Sequence, residues 1–257
     1  MTVFSTIHEL LAGKPAAAVA FVGSGCPPLT YGGLRAHVER TVASLNRLGI
    51  GRNDRVALVL PNGTEMATAF VAVAAGTTSA PLNPAYRAEE FEFYLADLKA
   101  KALIVERGSA SATAPGVALP LPSRDGVMPR EGRDGPKRPA SMQSSPARNA
   151  AAKLKIPVIE VVRASTDPAG VFELVPVAGG KTTAASHGGY AEADDVALVL
   201  HTSGTTSRPK IVPLSQRNVC ASAGHIRDIL SLTPADRGLS IMPLFHIHGL
   251  IGSVLST

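Results

Sequence analysis

The chain of 257 residues is 45% hydrophobic and 18% charged, enough apolar side chain to bury a core and too much for a disordered tail or a fibre. Its net charge of +5 is concentrated in residues 112–150, where Arg124, Arg130, Arg133, Lys137, Arg138 and Arg148 stand against Asp125, Glu131 and Asp134. The remainder is nearly neutral, so no nucleic-acid partner is expected.

The first residues lack a basic segment leading into an apolar run, which argues against a secretory signal and for a cytosolic start. An amphipathic opening (Ile7, Leu10, Leu11) precedes an apolar run at 16–22 that predicts a strand. Thr30 is placed to cap a helix in which Leu34, Val38, Val42, Leu45 and Leu48 recur at three- and four-residue spacing, closed by Gly49 and Gly51. Residues 55–60 (RVALVL) predict a buried strand ended by the turn Pro61-Asn62-Gly63. A helix at 64–75, a strand at 79–82, a helix at 88–98 with Phe91, Tyr94, Leu95 and Leu98 on one face, and a strand at 102–105 follow. Thr68, Gly76, Thr77, Thr78, Ser79 and Pro81 interrupt residues 66–82, so no membrane span is predicted. Strands alternating with long helices require crossover connections, and the fold expected is α/β with doubly wound, parallel-type sheets covered by helices on both faces.

Residues 1–107 form the first expected α/β unit. Residues 108–147 break the pattern: they are rich in Pro, Gly, Ser and Arg, show no apolar periodicity, and are expected to be a disordered insertion that cannot offset its chain entropy. A second α/β unit is expected over 148–257. It opens with a helix near Pro146 and a strand at 158–162, continues with strands at 196–200 and 211–214 and a helix at 216–229, and ends with a strand at 239–242 and a helix near His248. Cys26 and Cys220 are far apart, no Cys/His cluster has metal-ligand spacing, and no metal site is expected. His8, His37, His187 and His225 are expected at the surface or at caps.

Between two of these strands lies His201-Thr202-Ser203-Gly204-Thr205-Thr206-Ser207-Arg208-Pro209-Lys210. Small hydroxyl residues around a glycine let backbone N–H and side-chain O–H groups converge on an anion, and Lys210 adds a positive charge. The spacing is not that of a Walker loop. A plain Ser/Thr-rich surface turn is the alternative reading of the same residues.

This segment, TSGTTSRPK, resembles the phosphate-binding signature of the adenylate-forming acyl-CoA synthetase superfamily. LTYGGL (29–34), DRVALVLPNGTE (54–65), PLNPAY (81–86), FYLAD (93–97) and MPLFHIHGL (242–250) are similar to further family motifs and follow in the family's order. The Ser-Arg before Pro-Lys and the second histidine two residues after the first are most similar to the oxalate-CoA ligase group. The resemblance implies a two-step reaction. A carboxylate attacks the α-phosphorus of MgATP and expels pyrophosphate, and the thiol of coenzyme A then displaces AMP from the acyl adenylate. It implies that Thr202, Ser203, Gly204, Thr205, Thr206 and Lys210 cradle the ATP phosphates. His246 is implied at the junction of the ATP and acyl sites, catalytic and in contact with the acid, and His248 as a second contact to a small dicarboxylate such as oxalate. ATP, Mg2+ and coenzyme A are the implied cofactor and co-substrates. Ile211 stands where the family usually has glycine; a β-branched residue disfavours positive φ, which puts closure of the loop in question.

The resemblance also implies a longer enzyme whose adenine site, ribose-binding aspartate, magnesium ligand and C-terminal lid domain follow Thr257. The 257-residue chain is therefore expected to be inactive alone and poorly soluble, and a peroxisomal address, if present, to lie further on. A medium- or long-chain fatty-acid ligase, and a non-catalytic fragment or faulty gene prediction, are the competing expectations.

Overall fold

The computed structural model describes residues 4–107, 145–177, 183–202 and 209–257. The helix starts follow from local capping. Helix α1 (Ile7–Ala12) opens with a reciprocal pair in which Thr6 accepts from the Glu9 N–H and Glu9 accepts from the Thr6 N–H. Helix α2 (Tyr31–Arg47) is capped by Thr30, which accepts from Gly33 N at 3.2 Å. Helices α3 (Thr64–Ala74) and α4 (Ala88–Leu98) come next, then α5 (Pro146–Lys153), with Ser145 as its cap and Pro146 in its first turn. Helix α6 (Gln216–Ile229) is capped by Ser215, and a wide π-type helix, His248–Leu255, closes the described structure. No described helix is long and apolar enough to cross a membrane.

Strands β1 (Val19–Phe21) and β2 (Leu29–Thr30) form a small antiparallel pair. Among the described residues the other seven strands make one sheet: β3 (Arg55–Val59), β4 (Thr78–Pro81), β5 (Ala102–Glu106), β6 (Val158–Val162), β7 (Glu173–Pro176), β8 (Val196–Thr202) and β9 (Lys210–Ser215). Their order is β7-β6-β5-β3-β4-β8-β9, parallel in the middle, with β7 and β9 antiparallel at the two edges. Strand β6 lies against β5 and β8 against β4, so the sheet runs continuously across the position expected for the start of a second unit. Of the 108–147 segment, residues 108–144 lie outside the described residues.

Because side chains alternate along a strand, successive residues feed two cores. Val56 and Leu58 of β3 and Ile104 of β5 pack with α2, α3 and α6. Ala57, Leu103, Val105 and Val199 pack on the opposite face with Phe91, Leu95 and Leu98 of α4 and Ala147, Ala150 and Ala151 of α5. Helix α3 is apolar all round and buried from Met66 to Ala74, as expected of a helix wedged between a sheet and other helices. Fully burying side chains such as Phe70, Phe91 and Leu103 is worth about 1.5–3 kcal/mol each. Gln216, fully buried, ties three helices together: its Oε1 accepts from Ile7 N at 3.1 Å and its Nε2 donates to Ala74 O at 2.5 Å.

Three sequence expectations are corrected. Residues 239–242 form no strand: the run finds no partner among the described residues, and Leu239 and Ile241 stand 86% and 79% exposed. Strand β7 was not expected, because Glu173–Pro176 carries little apolar signal, yet it pairs with β6 at the sheet edge. His37 is fully buried rather than at the surface, its ring edge-on to Phe172 with centroids 4.4 Å apart. Its helical face is the one carrying Leu34, Val38 and Val42, and packing of that face overrode the polarity of the imidazole.

Candidate functional site

In parallel sheets of this kind ligands gather beyond the C-terminal ends of the strands. The β8–β9 hairpin turns back at that end, with Thr202 paired to Lys210 and His201 to Ile211. Thr202 and Lys210 are both exposed there, offering a hydroxyl and an ammonium side by side. Ser203, Gly204, Thr205 and Thr206 lie outside the described residues.

Ile211 is in extended backbone within β9 and packs partly against the second core. It is not among the left-handed non-glycine residues Asn53, Lys99, Lys155 and Ser231. The expected conflict between a β-branched side chain and positive φ at this position is therefore absent. Pro213 in the same strand is tolerated because β9 is an edge, where one face of the backbone needs no partner.

The histidine segment is brought to the same end of the sheet. Asn62, in the turn after β3, accepts from Leu244 N at 2.9 Å, and Leu244 is buried. His246 N donates to Pro243 O at 3.2 Å and Leu250 N to His246 O at 3.1 Å, forming a tight entry to the π-type helix. Gly249 is required by that entry: a Cβ there would sit 2.6 Å from Pro243 O. His246 and His248 are both exposed, and neither ring bonds Thr202 or Lys210 among the described residues. Phe245 packs beside the His246 ring, centroids 4.5 Å apart.

A cluster not assigned from the sequence lies on the other side of the hairpin root. The His201 ring, with its side chain only 6% exposed, places Nε2 3.0 Å from Asp97 Oδ2 on α4. The Tyr94 ring meets it edge-on at 4.7 Å and stacks in turn on Tyr86, also at 4.7 Å. Burial, and then a hydrogen bond with Tyr94, raise the Tyr86 phenol above its ordinary range. His201, PLNPAY and FYLAD were all visible as motifs, but only the fold shows that they meet.

A separate cavity of about 370 Å³ opens beyond β3, β5 and β6, lined by Leu60, Glu65, Glu106, Arg107, Val162 and Arg163 among others. Within its lining Arg163 lies 3.2 Å from Glu65, and Arg107 is paired at 2.7 Å with Glu160 outside it. Burial and the nearby Glu65 raise the Glu106 carboxyl, whereas the hydrogen bond from Arg107 holds Glu160 low. Of the described expected site residues, Thr202, Lys210, His246 and His248, none lines it. No group of three or more His, Cys, Asp or Glu among the described residues could hold a metal ion.

The family described as AMP-binding enzyme matches residues 9–257. An oxalate–CoA ligase of Arabidopsis thaliana is 38% identical over 239 residues, covering 91% of this chain and 39% of the relative. An oxalate–CoA ligase of Saccharomyces cerevisiae is 37% identical over 208 residues, covering 80% of this chain and 35% of the relative. The crystal structure of apo MatB from Rhodopseudomonas palustris superposes with a TM-score of 0.65 at 23% identity, over 98% of this chain and 42% of that one, which shows the fold. The chain thus spans about two fifths of the length of the relatives it matches. Matched over residues 9–257, the chain belongs to the AMP-binding enzyme family.

Proposed function

We propose that this chain carries the phosphate-side part of the active site of an ATP-dependent acid–CoA ligase, and that its acid is oxalate or a similarly small dicarboxylate. The observation that carries the reading is the β8–β9 hairpin, which sets the Thr202 hydroxyl and the Lys210 ammonium next to each other beyond the sheet's C-terminal edge. Thr202 donates to a phosphate oxygen and Lys210 offsets the charge of the departing pyrophosphate; Ser203, Gly204, Thr205 and Thr206 complete the cradle. Magnesium, accompanying the nucleotide, supplies further charge neutralisation of the phosphates. Positioning and charge stabilisation of this kind are most of what phosphoryl chemistry asks of a protein.

In this reading the carboxylate oxygen bonds to the α-phosphorus as the bond to pyrophosphate breaks. The thiol sulfur of coenzyme A then bonds to the acyl carbon as AMP leaves. His246 donates to an oxygen of the phosphate or the acid, and His248, two residues on, hydrogen-bonds the second carboxylate of a small diacid. The oxalate–CoA ligases at 37–38% identity support the choice of acid.

The test is MgATP binding to the 257-residue chain by calorimetry. Lys210→Ala is expected to weaken binding by about 10- to 100-fold, the loss of one charge-assisted hydrogen bond of about 1.5–3 kcal/mol. Equal affinity in the two proteins would refute the assignment of Lys210.

A further inference from the structure

The end of β8 overhangs the sheet. Ser79 is the register partner of Leu198, and β4 stops at Pro81, so the parallel neighbour of β8 ends level with Leu200. His201 and Thr202 run on beyond it, paired among the described residues only with β9, itself an edge strand. A two-stranded arm of this kind is marginal without side-chain support. Support is present at one residue. The His201 side chain is 6% exposed, its Nε2 is 3.0 Å from Asp97 Oδ2, and Tyr94 packs edge-on against the ring at 4.7 Å. A carboxylate can only accept, so the ring proton in this contact is on Nε2. Tyr94 is backed by Tyr86, in the loop between β4 and α4, and Asp97 sits in the last turn of α4, whose Phe91, Leu95 and Leu98 are anchored in the second core. The overhanging arm is thereby tied to both the β4–α4 loop and a rigid helix.

We infer that His201, Asp97 and Tyr94 form a positioning unit that holds the Thr202–Lys210 pair in place for the phosphates. None of the three touches substrate. They act by fixing the strand from which the hydroxyl and the ammonium project, so that less of the binding energy goes into ordering it. The inference rests on the reading of Thr202 and Lys210 as phosphate ligands, and the experiment separates the two.

Asp97→Ala, Asp97→Asn and His201→Gln are made in the full chain. Amide hydrogen exchange is followed by NMR at residues 200–202 and 210–212, together with MgATP affinity and thermal unfolding. Asp97 is 40% exposed at its side chain, so its removal leaves the core intact. Asp97→Ala is expected to speed exchange at the hairpin root by about tenfold and weaken MgATP by about tenfold. The same change is expected to move Tm by less than about 4 °C and to leave exchange in β3 and β5 unaltered. Asp97→Asn, which keeps an acceptor, and His201→Gln, which keeps a donor near the Nε2 position, are expected to recover most of both effects. A wild-type chain that binds MgATP while Asp97→Ala leaves either exchange or affinity unchanged overturns the positioning role and spares the phosphate reading. A wild-type chain that does not bind MgATP overturns the phosphate reading and the positioning role with it.

Discussion

His37 makes the stability of this chain depend on pH in a way that can be worked out from its surroundings. The ring is fully buried on α2, and among the described residues neither Nδ1 nor Nε2 has a hydrogen-bond partner. Burial, and secondarily the charge of Arg40, push its pKa down from 6.5 to about 4, against a smaller opposing effect of Asp167. The folded state therefore accommodates the neutral ring, whereas the unfolded chain takes up a proton below about pH 6.5. The stability from this site is complete above that pH, declines as pH falls from 6.5 towards 4, and levels off once the folded ring is protonated too. At about 1.36 kcal/mol per pH unit the full loss is about 3 kcal/mol, with about 2.5 kcal/mol of it reached by pH 4.5. That is a large part of the roughly 5–15 kcal/mol that holds a typical domain together. The assay is urea unfolding of the wild type and of His37→Leu at pH 7.5, 6.0 and 4.5. Protonation of carboxylates such as Asp195 affects both proteins alike and drops out of the difference. The variant is expected to gain about 2.5 kcal/mol relative to the wild type between the two extremes. A difference between the two proteins that stays constant across the range would refute the reasoning.

Three further outcomes follow from the packing. Gly249→Ala drives a Cβ to within 2.6 Å of Pro243 O and 3.1 Å of Met242 O, and urea unfolding should record a loss of about 1–3 kcal/mol, with faster amide exchange at His246. Ile211→Gly restores the residue usual in the family but removes a half-buried strand side chain from backbone that needs no left-handed φ. It should cost about 1 kcal/mol or more in unfolding free energy; tighter MgATP binding would show instead that the glycine matters for the loop. Gln216→Ala strands the Ile7 N–H and the Ala74 carbonyl in the interior, each costing about 1–3 kcal/mol. A drop in unfolding free energy below about 1 kcal/mol would mean that the helices re-pair these groups.

Local signals in the sequence were sufficient for most elements because each rests on a short-range cause. The caps at Thr30 and Ser215, the helical spacing of Leu34, Val38, Val42 and Leu45, and the apolar runs of β3 and β5 can all be read within about one dozen residues. The helices Ala88–Leu98 and Gln216–Ile229 have the bounds their periodicity predicts. The motifs that mark the family are also contiguous, and Thr202, Lys210, His246 and His248 could be named from them.

What depends on contacts between distant parts of the chain could not be read this way. The strand at 239–242 failed because a strand needs a partner edge, and β7 formed from weakly apolar residues because β6 offered one. The burial of His37 was decided by the face of α2 that meets Phe172, and the role of His201 by an aspartate 104 residues away on α4. The sequence by itself determined most of the elements and the family, and it singled out the motifs that carry Thr202, Lys210, His246 and His248. Only the tertiary structure decided that Asn62 anchors the histidine segment at the same end of the sheet and that His201 is tied down by Asp97 and Tyr94. Pairing across a sheet and packing between layers join residues by geometry, and nothing in their separation along the chain encodes it.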